Sequence, residues 1–373
     1  MQLRCSSATE TMLVGGHVST SGGLVKAHGR AVEIGGDAMQ IFNQSPRMWR
    51  PTAWKDDDIA EFRALMSDGP IRSVVIHAVY LINLAAPEED VRSKSLESMK
   101  HAVRVGEAIG ADGVVVHPGS AKKDPVPEAL DRIVEALQEV LAECSGCRIL
   151  LEDTAGAGGT IGRSFEELAT LIDGVGGGDR VGVCLDCCHL LASGYDIRTI
   201  DKLSAVMDEF SDVVGLDRLA CVHVNDSQMP LGSNRDRHAL LPKGELGREG
   251  LAAFLSEPRF DGLPALLEGG EGQGADAEQI AIARELREEG LAARGGARAP
   301  RGKKAVAKKR SGAKTSITKK STPAKKKPAA AKKKTPSTKK PATAKKETPR
   351  ANKSARTAKP TVKKSAAAKR GRR

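Results

Sequence analysis

Between Met12 and about Ala293, short apolar runs alternate with longer amphipathic stretches. The runs are LVGGHVS (13–19), AMQIFN (38–43), SVVIHA (73–78), GVVVHP (113–118), RILLEDT (148–154), VGVCLD (181–186), ACVHVND (220–226) and PALLEG (264–269). They are continuous rather than alternating, which predicts strands buried on both faces. The stretches between them carry a helical period. SLESMKHAVRVGEAIGADG keeps Leu96, Met99, Val103 and Ile109 near one face and stops at Gly110. PEALDRIVEALQEVLAEC opens on a proline and sets Leu130, Ile133, Val134 and Leu137 on a stripe. SFEELATLIDG has Ser164 as its N-cap, with Glu167 three residues on. Eight strand–helix repeats predict an α/β fold of the (β/α)8 TIM-barrel type over residues 12–293.

Polar residues close these runs. Runs three to six end in His77, His117, Glu152 and Asp186; run seven contains His223 and run eight ends in Glu268. In a barrel of this kind the strand C-termini converge on one rim, where catalytic groups sit. One such residue alone is by default a satisfied core residue or a loop cap. Six in succession predict a shared pocket. His189 lies three residues after Asp186, within reach from the following turn. NRDRH adds Asp236 and His238, which alternation places on one side of extended chain. Five histidines and four carboxylates exceed the needs of one metal. With a bridging carboxylate they fit two or three zinc-like ions. Three divalent ions against four carboxylates leave the cluster at about +2, an electrostatic match for a phosphodiester.

VGVCLDCCH, at 181–189, crowds Cys184, Cys187 and Cys188 around Asp186 and His189. The N/O set is complete without the thiols. Cys184 reads as a small hydrophobe in a buried strand, and Cys187 and Cys188 as turn neighbours of the ligands.

Charge divides the chain of 373 residues in two. From Arg298 to Arg373 there are 30 Lys/Arg and one acid, Glu347, a net of about +29; the remaining 29 basic and 46 acidic residues give about −17. The stretch KKPAAAKKKTPSTKKPATAKK cannot bury enough apolar surface to offset its ordering entropy, so residues 294–373 are expected to be a disordered tail. Its charge density suits a polyanion, and non-specific DNA contact is the favoured role. In composition it resembles the Lys/Ala/Pro tails of linker histones. Residues 1–11 form an N-terminal extension without the apolar core of a secretory signal. No apolar run approaches the roughly 18 residues of a membrane span. Seven irregularly spaced cysteines suit a reducing compartment, so an intracellular, soluble protein is expected.

Across residues 12–290 the chain resembles the endonuclease IV family of apurinic/apyrimidinic (AP) endonucleases. The likeness is carried by GGHVS (15–19), HAVYLINL (77–84), HPGS (117–120), EDTAG (152–156), GVCLDCCH (182–189), HVNDS (223–227) and DRH (236–238). It implies a TIM barrel holding three zinc ions, with Mn2+ an alternative at one site. It also implies hydrolysis of duplex DNA 5′ to an abasic site to leave a 3′-hydroxyl, and removal of blocked 3′ ends.

By the same resemblance, His77, His117 and Glu152 ligate one ion. Glu152 bridges to a second held with Asp186, His223 and Glu268, and His189, Asp236 and His238 hold the third. Glu152 would orient the nucleophile, a hydroxide bridging the metals. Tyr80 and Leu81 match a pair that enters the minor groove beside a flipped-out nucleotide, and Arg47 of FNQSPRMWR matches the filler of the gap in the stack. Trp49 is expected to be a core anchor instead.

The chain departs from the family pattern in places. Asp153 stands where Asn is common, Ala157 replaces a usual Gln, Cys187 takes a frequent Thr position, and LLEGGEGQG replaces a Glu-Thr-Pro ending. A monomer is expected, in a bacterial cytoplasm and nucleoid, or in a nucleus if the source is eukaryotic. The rival readings are a xylose-isomerase-like sugar isomerase or epimerase, and a DNA-compaction protein whose barrel only carries its tail. The first uses fewer ligands, and the second would need none.

Overall fold

The computed structural model describes residues 11–269 and 274–296. Eight parallel strands form the barrel: β1 (Leu13–His17), β2 (Ala38–Phe42), β3 (Ser73–His77), β4 (Gly113–Val116), β5 (Ile149–Glu152), β6 (Val181–Asp186), β7 (Leu219–His223) and β10 (Pro264–Leu267). A two-stranded antiparallel ribbon, β8 (Asp226–Ser227) and β9 (His238–Ala239), sits between β7 and β10 in the chain. The helices are α1 (Leu24–Glu33), α2 (Asp56–Asp68), α3 (Glu89–Ile109), α4 (Val126–Glu143), α5 (Phe165–Gly174), α6 (Cys187–Ser193), α7 (Ile200–Val213), α8 (Gly247–Leu255) and α9 (Ala277–Gly296). Each barrel strand pairs with its sequence neighbour among the eight, and β10 closes on β1.

The barrel interior is a plug with one residue from every strand: Leu13, Ala38, Val75, Val115, Leu150, Cys184, Cys221 and Leu266. Side chains two residues apart on a strand share a face. The positions two residues beyond the plug are Gly15, Gln40, His77, His117, Glu152, Asp186, His223 and Glu268. All six polar residues read from the runs therefore stand on the plug, at the C-terminal rim. Val181–Asp186 is buried throughout, as the continuous runs predict.

The helices close as their sequences specify. α3 stops at Gly110, which takes the left-handed conformation (φ 75°), and it starts at Glu89, earlier than its apolar stripe. Ser164 caps α5 by accepting from the Glu167 N–H, while Glu167 accepts from Gly162 and Arg163 N–H. His189 belongs to a helix, α6, rather than to the expected turn. The Asp186 carboxylate caps that helix, accepting from Cys188 and His189 N–H at 2.6 and 3.1 Å.

Residues 294–296 of the expected tail, 294–373, fall in a helix. α9 runs to Gly296, and Arg294 is bonded to Ser256, Ala253 and Glu257. The expected tail from residue 297 onward lies outside the described residues, as does the N-terminal extension except Thr11. Among the described residues no helix is long and apolar enough to cross a membrane.

Candidate metal centre

Glu152 is the hub of the rim. Its Oε2 lies 2.9 Å from His117 Nε2 and 3.4 Å from His77 Nε2. Its Oε1 lies 2.9 Å from His223 Nδ1 and 3.5 Å from His189 Nδ1. Asp186 and Glu268 approach His223 Nδ1 to 3.8 and 3.7 Å. Asp236 bridges His189 Nε2, at 3.3 Å, and His238 Nε2, at 3.1 Å. Metal-compatible groups follow from these positions: His77/His117/Glu152, Glu152/Asp186/His223/Glu268 and His189/Asp236/His238. The structure thus brings together all nine residues named from the sequence, in the combinations the resemblance implies. Glu268 is included despite the altered residues after it.

The donor chemistry fits divalent cations. Glu152 Oε2, His189 Nε2 and His238 Nε2 are buried without a hydrogen bond, although charged atoms stand at ion-pair distance. Burial so complete is costly for polar atoms unless an ion satisfies them. The outer hydrogen bonds also orient the rings. His77 Nδ1 lies 2.6 Å from the Ala78 carbonyl and His189 Nδ1 lies 2.9 Å from the Asp153 carbonyl, so each Nδ1 donates and Nε2 is left facing inward.

Electrostatics agree. Burial alone would lower the imidazoles and raise the carboxylates, and their mutual attraction overrides it. His189 and His223 are held well above the ordinary histidine value, and His238 is raised to about 9. Glu152 is held well below the carboxylate range, and Glu268 at about 2.

Two further groups contain thiols, Cys184/Cys221/His223 and Asp186/Cys188/His238. Burial pushes the Cys184 thiol far up and Cys188 to about 12. Cys187 instead clasps Asn225: its Sγ lies 3.0 Å from the Asn225 carbonyl and 3.2 Å from its N–H.

Several site residues escaped the sequence reading. Asn225 donates to Asp186 Oδ2 at 2.7 Å and to Glu268 Oε2 at 3.1 Å. Gln40 bonds Glu268 and His223. A cleft of about 240 Å³ above the cluster is lined also by His17, Phe42, Gln228 and Arg237. Gln40 and Asn225 had one available signal: Gln40 is two residues beyond its plug residue, and Asn225 is two beyond His223. Asp153, which stands where Asn is common in the family, accepts the Asp186 N–H at 2.6 Å. Burial lifts its carboxyl well above the ordinary range.

The residues matched to DNA contacts are placed differently from one another. Tyr80 is 60% exposed at the cleft, its ring 5.2 Å from Phe42 and 5.3 Å from His77. Leu81 is half-buried against the core, Arg47 is exposed on the loop after β2, and neither lines the cleft. Trp49 is partly buried against the core, as expected for an anchor.

The profile of the xylose isomerase-like TIM barrels matches residues 29–289. A probable endonuclease 4 of Halothermothrix orenii is 40% identical over 266 residues, which are 71% of this chain and 96% of that one. The chain belongs to the endonuclease IV family. A second such relative, from Chloroflexus aggregans, is 40% identical over 276 residues, 73% of this chain and 96% of its own. Among solved members, endonuclease IV of Thermus thermophilus is 35% identical, with a TM-score of 0.66, covering 75% of this chain and 99% of that one. A D-tagatose 3-epimerase-like protein, 20% identical with a TM-score of 0.57 over 77% of this chain and 100% of its own, shares the fold alone. The endonuclease IV family therefore accounts for the barrel, and the basic segment lies outside the matched region.

Proposed function

We propose that the protein is an AP endonuclease of DNA repair. It hydrolyses the phosphodiester 5′ to an abasic site in duplex DNA, and it trims blocked 3′ ends. The observation that carries this reading is the three-part ligand set sharing Glu152, with buried N and O atoms left without hydrogen bonds. His77, His117 and Glu152 would hold one zinc; Glu152, Asp186, His223 and Glu268 a second; His189, Asp236 and His238 the third, with Mn2+ an alternative at one site. Bound there, the ions supply positive charge to the phosphate and acidify water near neutral pH.

The chain's own groups do the rest. Glu152 would orient the attacking water, a role supported by its position within 3.5 Å of four imidazoles. The water oxygen bonds to phosphorus as the P–O3′ bond breaks, and O3′ leaves as the 3′-hydroxyl. Tyr80, standing exposed beside the cluster, supports the wedge role, with Leu81 behind it and Arg47 on the neighbouring loop filling the stack. The tail from residue 297 adds non-specific DNA affinity without chemistry. Within this reading the repair domain spans residues 12–296, and the protein works as a monomer in the cytoplasm and on the nucleoid.

Metal analysis paired with nicking of an abasic duplex tests the reading. The expected result is about three zinc ions per chain, cleavage without added magnesium, and loss of cleavage after prolonged chelation. A chain that retains no metal, or that nicks only with magnesium, defeats it.

A further inference from the structure

Gln40 lies in none of the ligand groups, yet its side chain joins three rim residues at the ends of three other strands. Its Nε2 is 2.9 Å from Glu268 Oε1 and 3.3 Å from His17 Nδ1, and its Oε1 is 2.8 Å from His223 Nε2. It is fully buried, two residues beyond Ala38 of the plug, in the same inward layer as the ligands.

The direction of every bond in this chain follows from Glu268. A carboxylate only accepts, so the Gln40 atom facing it is the amide nitrogen; a reversed amide would set two oxygens at 2.9 Å. The Gln40 carbonyl is then the atom facing His223, and a carbonyl also only accepts. His223 therefore carries a proton on Nε2. Its Nδ1 faces Glu152 Oε1 at 2.9 Å, with Asp186 and Glu268 at 3.8 and 3.7 Å; the proton it donates to Glu152 in the metal-free chain is the one that a cation on this side displaces, while the Nε2 proton stays on the Gln40 carbonyl. The second amide hydrogen of Gln40 goes to His17, whose Nδ1 accepts. The His17 proton is thereby on Nε2, on a ring that lines the cleft.

We propose that Gln40 is a positioning residue that fixes two histidine tautomers at once, committing His223 to offer Nδ1 to a metal and His17 to carry its proton on Nε2. The proposal rests on the metal reading of the site. A buried glutamine that merely fills space would leave both tautomers indifferent to its replacement by a side chain of similar volume.

The test uses the metal-loaded full chain with 15N-labelled histidine, and reads protonated and bare ring nitrogens by long-range 1H–15N NMR. The two rings are assigned from signals lost in His17→Asn and His223→Asn. In the wild type both should be protonated on Nε2. Gln40→Met, checked for folding by thermal unfolding, should release one ion to a chelator about tenfold faster and abolish the His17 preference. A wild-type proton on Nδ1 of either ring, or a Gln40→Met protein with unchanged tautomers and ion release, overturns the proposal. A wild-type chain that retains no ion defeats the metal reading instead, and the His17 tautomer still decides the role of Gln40.

Discussion

At the scale of single residues, the site is a set of acids and imidazoles whose charges sustain one another in a buried place. Without metal, His189 and His223 sit well above the ordinary histidine value, and His238 at about 9 holds a proton at neutral pH. A metal bound there must displace it. Zinc uptake by the chelated protein should therefore release protons, and its apparent affinity should fall as pH drops below about 9. Calorimetry in buffers of different ionisation enthalpy reads both, and a pH-independent affinity would contradict the assignment. Asp153 offers a sharper contrast. Its carboxyl accepts the Asp186 N–H, so Asp153→Asn should keep the metal content and nicking rate within about twofold, because an amide oxygen accepts as well. Asp153→Ala leaves that N–H buried and unpaired, at a cost of about 1–3 kcal/mol, and should lower metal occupancy.

The elements explain why the residues meet. A strand's period of two stacks six of the nine candidate ligands on the barrel plug, so the ends of the apolar runs announce them. The other three come from segments with no such period. His189 rides on α6, seven residues long and capped by Asp186 itself; its apolar sequence continues the strand without polar punctuation, so the pattern alone predicts a turn there. Asp236 and His238 lie on the excursion that contains β8 and β9. That excursion is tied down by Asp226, whose carboxylate accepts from the N–H groups of Ser227, Gly244, Leu246 and Gly247. Asp226→Ala should destabilise the fold by about 2 kcal/mol. It should also cost the His189/Asp236/His238 ion in preference to the others. Denaturant unfolding and metal counting check the two effects separately. Equal loss of all ions would show that the excursion does not act as a unit.

For the whole molecule the question is how a body of about −17 approaches a polyanion. On the proposed reading, cationic residues at the cleft, such as Arg237, would act at short range, and the 30 cationic residues from Arg298 onward would supply long-range attraction. Truncation after residue 296 should flatten the salt dependence of duplex binding and leave turnover at low salt and saturating substrate intact. Loss of that turnover in a folded truncation would mean that the tail takes part in the chemistry. Much of this protein was legible beforehand. Apolar run length determined the eight strands, and the rule of two placed His77, His117, Glu152, Asp186, His223 and Glu268 on one rim. These are local properties, carried by neighbours a few positions apart. Only the closed barrel decided that Glu152 stands between four imidazoles, that Gln40 on β2 reaches Glu268 beyond β10, and which nitrogen each histidine turns inward. Those contacts join residues up to 228 positions apart, and their distances are set by strand closure, a property that no segment of the chain carries alone.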